Sequence, residues 1–224
     1  MAGAYAQQAG VAARRSGDPV VLAAAARAAA TPLRRTGRTD EALQLLGEAR
    51  THLTAGPRPT AAGLEAAGMA ELTAAYTAAQ AHRAPMAREL AAQTEEITHH
   101  LASHPHTQAG RPRELTADQH ALYRIGIHRQ LGDIDTALAT APRLRPAQLP
   151  TAERRARAAT DTARALLDAG DITGVFTQLR LVELAAPLEA RRPSVRALAG
   201  QVAELRPDLP GLSSYAQRTG ASPL

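Results

Sequence analysis

Arginine is the side chain with which this sequence can do the most chemistry. All 26 basic residues are arginines, against 21 acidic ones, so the 224-residue chain carries a formal charge of +5 and an isoelectric point near 10.5. A guanidinium presents its donors in a fixed plane that matches carboxylates and phosphates two bonds at a time. Arginine clusters such as Arg154-Arg155 with Arg157, and Arg191-Arg192, are candidates for such contacts. Histidine is the second candidate, at His99-His100 with His104 and His106, and at His120 and His128. Neighbouring residues on a helix point about 100° apart, so His99 and His100 do not share an ion. Arg124 lies between His120 and His128, where its charge repels a cation, and no metal site is assigned. Cysteine is absent, which removes thiolate nucleophiles, disulfides and thiolate metal sites together. Glu95-Glu96 is a carboxylate pair in sequence only, since the two face different sides of a helix. The Gly-x-Ser-x-Gly elbow, the Walker phosphate loop and the dinucleotide fingerprint are missing as well. The expectation is therefore a protein that is not an enzyme, with no catalytic residue and no cofactor.

The elements that position these residues are helices. Alanine, leucine, arginine, glutamate and glutamine dominate, aromatics reach only 2%, and β-branched runs are nearly absent. Three turns share one composition: Gly37-Arg-Thr-Asp-Glu-Ala42, Gly132-Asp-Ile-Asp-Thr-Ala137 and Gly170-Asp-Ile-Thr-Gly-Val175. In each, glycine ends one helix and polar residues open the next, which turns the chain through a helical hairpin. Apolar residues keep a 3.6-residue rhythm on both sides: Ala26, Ala30 and Leu33 before Ala42, Leu46 and Ala49, and Ala159, Ala163 and Leu166 before Val175, Leu179 and Val182. A third hairpin joins Thr73–Tyr76 to Ala87 and Leu90 through His82-Arg-Ala-Pro85, and a fourth joins Leu122 and Ile125 to Ala137. Ala55–Pro59 and Ser103–Pro112 are rich in turn formers and read as exposed loops. No apolar stretch is long enough to span a membrane, and the start Met1–Tyr5 lacks the basic region of a signal peptide. A cytoplasmic location is expected.

The small residue in each helix of a pair, with Pro187 closing the last unit, resembles the tetratricopeptide repeat. The expected fold is all-α, a right-handed superhelical solenoid of about four to five such hairpins and about ten helices. One domain is expected over 1–206, opening with a half hairpin at 1–16 and ending in a capping helix at 191–205. A flexible tail is expected over 207–224.

The segments Leu149–Ala156, Thr160–Arg164, Glu183–Pro187 and Arg192–Leu198, together with Ala13–Asp18 and Ala121–Ile125, are similar to a more particular group. They resemble the C-terminal tetratricopeptide half of actinobacterial Xre-type helix-turn-helix regulators, without the DNA-binding domain. The resemblance implies a sensor or dimerisation module in a transcriptional regulatory system. Nucleic acid would then be reached only through a separate DNA-binding domain, and a homodimer is among the expected assemblies. In a tetratricopeptide-like stack the first helix of each hairpin lines the concave face. The resulting groove would hold Arg27, Thr31 and Arg34; Leu72, Tyr76 and Gln80; Leu122, Gly126 and Arg129; and Arg157, Thr160 and Arg164. Basic ends and an apolar middle suit a peptide, a protein segment or a small acidic effector. The alternative is direct nucleic-acid binding through the arginine-rich helix faces, which would show a steep salt dependence.

Overall fold

A computed structural model describes residues 2–54, 60–103 and 113–221. The two stretches expected as loops fall largely outside the described residues, as do His104 and His106. Helix is the only regular structure among the described residues. There are α1 (Ala2–Ser16), α2 (Pro19–Arg35), α3 (Thr39–Thr54), α4 (Ala61–Gln80), α5 (Ala84–Ser103), α6 (Ala117–Gln130), α7 (Ile134–Thr140), α8 (Ala152–Asp168), α9 (Ile172–Ala185), α10 (Pro187–Ala190), α11 (Pro193–Leu205) and α12 (Leu212–Thr219). Two short 3₁₀ turns, Ala141–Arg143 and Pro146–Gln148, lie between α7 and α8. Local capping sets the starts: Asp18 accepts from the Val20 N–H at 2.8 Å, Thr60 from Gly63 at 3.0 Å and Thr151 from Arg154 at 3.1 Å. Where the sequence reading placed one domain over 1–206, the chain divides into two compact units, Met1–Tyr123 and Arg124–Leu224.

Four turns, α2–α3, α4–α5, α6–α7 and α8–α9, follow one plan. A residue with left-handed backbone ends the first helix: Gly37 at φ 75°, His82 at 56°, Gly132 at 78° and Gly170 at 81°. The next residue's N–H donates to a carbonyl five positions back, Arg38 to Leu33, Arg83 to Ala78, Asp133 to His128 and Asp171 to Leu166, each at 2.9 Å. The left-handed residue itself donates three positions back, to Arg34, Ala79, Arg129 and Leu167 at 3.0–3.2 Å. Two carbonyls that the helix end leaves open are thereby satisfied. His82 thus adopts the conformation that glycine supplies at the other three turns. At the same offset beyond each left-handed residue stand Ala42, Ala87, Ala137 and Val175, all 0% exposed.

In the first unit α4 is buried on nearly every side and contacts α2, α3 and α5. Its sequence is Ala- and Gly-rich, which is what allows backbones to approach so closely. A Cβ on Gly68 would run into Leu115 and lie 3.3 Å from Ile97. Ala23, Ala26 and Ala30 of α2 pack with Ala42, Leu46 and Ala49 of α3 and with Ala67 and Ala70 of α4 in a continuous core. Thr94 and Thr98, buried on α5, are satisfied locally, donating to the carbonyls of Leu90 and Thr94 at 2.8 Å.

In the second unit Val175, Phe176, Leu179 and Val182 of α9 meet Val195, Leu198 and Val202 of α11 and Leu212 and Tyr215 of α12. The Phe176 and Tyr215 rings meet edge to face at 5.8 Å and 89°. The flexible tail expected from residue 207 onward is corrected here. Its Leu212, Tyr215 and Thr219 recur at helical spacing and are buried, and α12 lies between the left-handed Gly211 and Gly220. Arg218 holds the helix from outside, donating through Nε and Nη2 to the two carboxylate oxygens of Glu183 at 2.8 Å each. Proline at 207 and 210 obscured that face in the sequence.

These turns differ in one testable respect. Gly170→Ala forces a Cβ into the left-handed region and is expected to lower stability by about 1 kcal/mol, whereas His82→Gly relieves the same strain and should raise it by up to about 1 kcal/mol. Urea unfolding midpoints of the two variants check both signs.

Candidate functional site

The residues expected to line one basic groove divide between the two units. In the first, Arg34 of α2 gathers two of its expected neighbours, Thr31 and Tyr76, together with Thr77, which was not among them. Its Nη1 donates to the Thr77 hydroxyl at 3.0 Å and its Nη2 to that of Thr31 at 3.3 Å, and its guanidinium lies 5.3 Å from the centre of the Tyr76 ring. Tyr76 in turn meets Tyr123 edge to face at 6.4 Å. Arg27 donates through Nη1 to Glu114 at 3.1 Å, with its Nε buried and unpaired. Leu72 and Leu122 are 0% exposed and present no surface, while Gln80 is exposed.

In the second unit the arginines are held by the chain's own carboxylates. Arg157 and Arg164 sit one turn either side of Asp161 on α8 and reach it at 3.4 and 3.1 Å. Asp161 is 4% exposed, so this is a partly buried triad and not an open clamp. Arg129 binds Asp168 through Nε at 2.7 Å and Nη2 at 3.5 Å. Thr160 is buried and donates to the Ala156 carbonyl at 2.8 Å, and Gly126 is buried as well. The expectation of a lining formed by Leu72, Leu122, Gly126 and Thr160 is corrected by that burial. A helix covered on several sides turns such positions inward, which a single-face reading does not anticipate.

A different feature of the second unit has the shape of a binding site. An apolar groove of about 650 Å³ runs along α8, between α7 with its following 3₁₀ turns and α9. Leu138, Pro142 and Leu144 form one wall, Ala158, Ala159 and Leu166 the floor, and Leu181 and Leu184 the other wall. Leu181 is 44% and Leu184 81% exposed, so the rim leaves apolar surface in water. Three polar side chains interrupt this lining: Arg155, Thr162 and Gln178. Arg155 donates to the Leu149 carbonyl at 3.2 Å and forms no ion pair among the described residues. Its neighbours differ, since Arg154 reaches Glu153 at 3.5 Å and Arg157 reaches Asp161. Sequence reasoning named Arg155 only within an arginine cluster and missed Thr162 and Gln178. The stripe Arg155, Ala158, Ala159, Thr162, Leu166 at three- and four-residue spacing was the available signal.

A smaller hollow of about 510 Å³ lies in the first unit among α1, α2 and α3, with Arg14, Leu22, Leu33 and Arg38 on its walls. Arg38 is already bound by Glu41. Of the other arginines considered for nucleic acid, Arg192 pairs with Glu189 at 2.7 Å, and Arg191 is exposed.

Two of the described histidines, His120 and His128, make local contacts. The Nε2 of His120 is 3.3 Å from the Ala91 carbonyl, and the Nδ1 of His128 is 3.1 Å from Asp133. Asp133 is held below the ordinary aspartate range, mainly by its hydrogen bond with Thr136 and further by His128. His99 and His100 are exposed at the end of α5. No group of three or more His, Asp or Glu side chains among the described residues is placed to hold a metal ion. No helix among them is long and apolar enough to cross a membrane.

A further acid is buried in the first unit. Glu71 of α4 is 5% exposed, with Oε1 3.4 Å from Arg50 and Oε2 buried without a partner. Burial pushes its carboxyl above the ordinary glutamate range, while Arg50 pulls the other way. A raised folded-state pKa means that ionisation works against folding: the penalty is absent below the usual value of 4.5 and complete above the folded value. Glu71→Gln is therefore expected to raise the melting temperature at pH 7, with the gain shrinking as the pH falls to 4. Arg50, 42% exposed, can turn to water in that variant. Thermal scans at the two pH values check it.

No family model matches this chain, and neither a curated protein nor a solved structure matches it.

Proposed function

We propose that this chain is a non-catalytic binding module built from tetratricopeptide-like hairpins, the unit of the superhelical solenoid expected from the sequence. Its role would be the sensor or dimerisation part of a transcriptional regulatory system of the Xre type, with DNA contacted through a separate domain. The ligand is a peptide, a protein segment or a small effector. Four hairpins with one turn geometry and one fully buried anchor position support the repeat reading.

One observation carries the binding role: the apolar groove of the second unit combines a continuous leucine and alanine lining with a few polar groups that have capacity to spare. Its size falls in the range of small-ligand pockets, roughly 300–1,000 Å³, and such sites place a small number of polar groups in an apolar wall to fix orientation. The arginines first expected to bind the ligand are a poorer choice, because Arg27, Arg157, Arg164 and Arg129 already form ion pairs with Glu114, Asp161 and Asp168. An added anion would have to displace an intramolecular carboxylate at each of them.

Nile red, a neutral apolar dye, tests the groove on the full chain. Saturable binding with enhanced emission is expected, weakened about tenfold by Leu184→Glu, because a carboxylate at the rim must be desolvated when the dye enters. Leu184 is exposed, so the substitution leaves the core intact. Equal dye binding by both proteins would place the site elsewhere.

A further inference from the structure

The one charged side chain lining this groove, Arg155, stands at one end of its floor. Arg155, Ala158, Ala159, Thr162 and Leu166 form one stripe of α8, and the rise of an α-helix makes that stripe about 16 Å long from first to last. The stripe begins with a cation and ends in leucine. Beyond Arg155 the floor is alanine, one threonine hydroxyl and Leu166, under walls that include Leu138 and Leu181.

Arg155 also differs from the unit's other clamped arginines. It spends one N–H on the Leu149 carbonyl at 3.2 Å, and among the described residues no carboxylate neutralises it. A guanidinium has five N–H donors, so an unfilled edge remains for a bidentate anion. The Leu149 contact holds the group half-buried beside the groove, which lowers the cost of ordering it on binding.

Resting on the groove reading above, we infer that the occupant is a small amphiphile, an alkyl monocarboxylate of medium chain length, with its carboxylate on Arg155 and its chain along α8 toward Leu166. The head-to-tail order of the ligand matches the order of the stripe. A dianionic or polyanionic ligand fits less well, because Arg155 is the one charged side chain among the lining residues, the other polar ones being the neutral Thr162 and Gln178. A neutral alkyl ligand would leave that cation unmatched in the same place.

Isothermal titration of the full chain with dodecanoate and with dodecanol, both below their aggregation limits, separates head from tail. Dodecanoate is expected to bind at least about tenfold more tightly, the effect of one charge-assisted hydrogen-bonded pair. Arg155→Gln should bring dodecanoate down to the level of dodecanol and leave dodecanol unchanged, while Arg155→Lys, which keeps the charge, should retain part of the preference. Equal affinities for acid and alcohol in the parent protein, unmoved by Arg155→Gln, would overturn the carboxylate assignment and leave the apolar groove standing. Nile red binding without either amphiphile would overturn the alkyl assignment. Failure of dye and both amphiphiles together would remove the groove reading as well.

Discussion

Each hairpin is held by a side chain no larger than valine, set at a constant distance beyond a left-handed turn and sealed from water. At Ala42, Ala87, Ala137 and Val175 that residue is 0% exposed. Small residues at the crossing allow helix axes to come close, and the turn hydrogen bonds hold the second helix in register with the first. The rest of the architecture follows from this constraint. A chain this poor in aromatics cannot rely on large buried side chains, so it gains apolar contact through the number and closeness of its helix pairs. Larger side chains are buried in both units, and in the second the Phe176 ring of α9 meets the Tyr215 ring of α12 edge to face. Burial beside those rings pushes the Tyr215 phenol up to about 12.

Close packing of alanine-rich helices leaves arginine as a main outward-facing material, and the fold pairs several of these arginines internally. Arg157 and Arg164 share Asp161, Arg129 takes Asp168, Arg218 takes Glu183, and Arg27 takes Glu114. Arginines that look identical in the sequence thus have different chemical availability. The more exposed of these pairs add little stability, but all of them fix which guanidiniums are already matched by a carboxylate. Arg155 is distinguished because its partner is a backbone carbonyl, which orients it without cancelling its charge.

The groove beside Arg155 is a consequence of the same economy. Between α7 and α8 the chain runs through two short 3₁₀ turns, and α8 presents Ala158 and Ala159 where a larger residue would fill the space. Leucines on both walls then border a channel that the unit itself does not fill, and Leu184 stays 81% exposed at its edge. Glu71 shows the opposite treatment of a polar group. It is enclosed in the small-residue core of the first unit at the expense of its ionisation, with Arg50 as a partial match.

Much of this protein was legible without coordinates, because the determining interactions are local. Helix content follows from side-chain entropy, the glycine turns from the left-handed region, and the buried anchors from their offset to those turns. The His82 turn was read from spacing despite histidine in place of glycine, whereas prolines at 207 and 210 concealed the buried face of α12. The division at Tyr123 and Arg124 has no local signal, since it falls within a helix. Which arginines are neutralised, and which stripe of α8 borders open space, were likewise undetermined. The partners Glu114 and Asp168 lie 87 and 39 positions away from Arg27 and Arg129. An ion pair or a groove depends on how side chains from distant segments meet, and helical periodicity describes only the face that each segment offers.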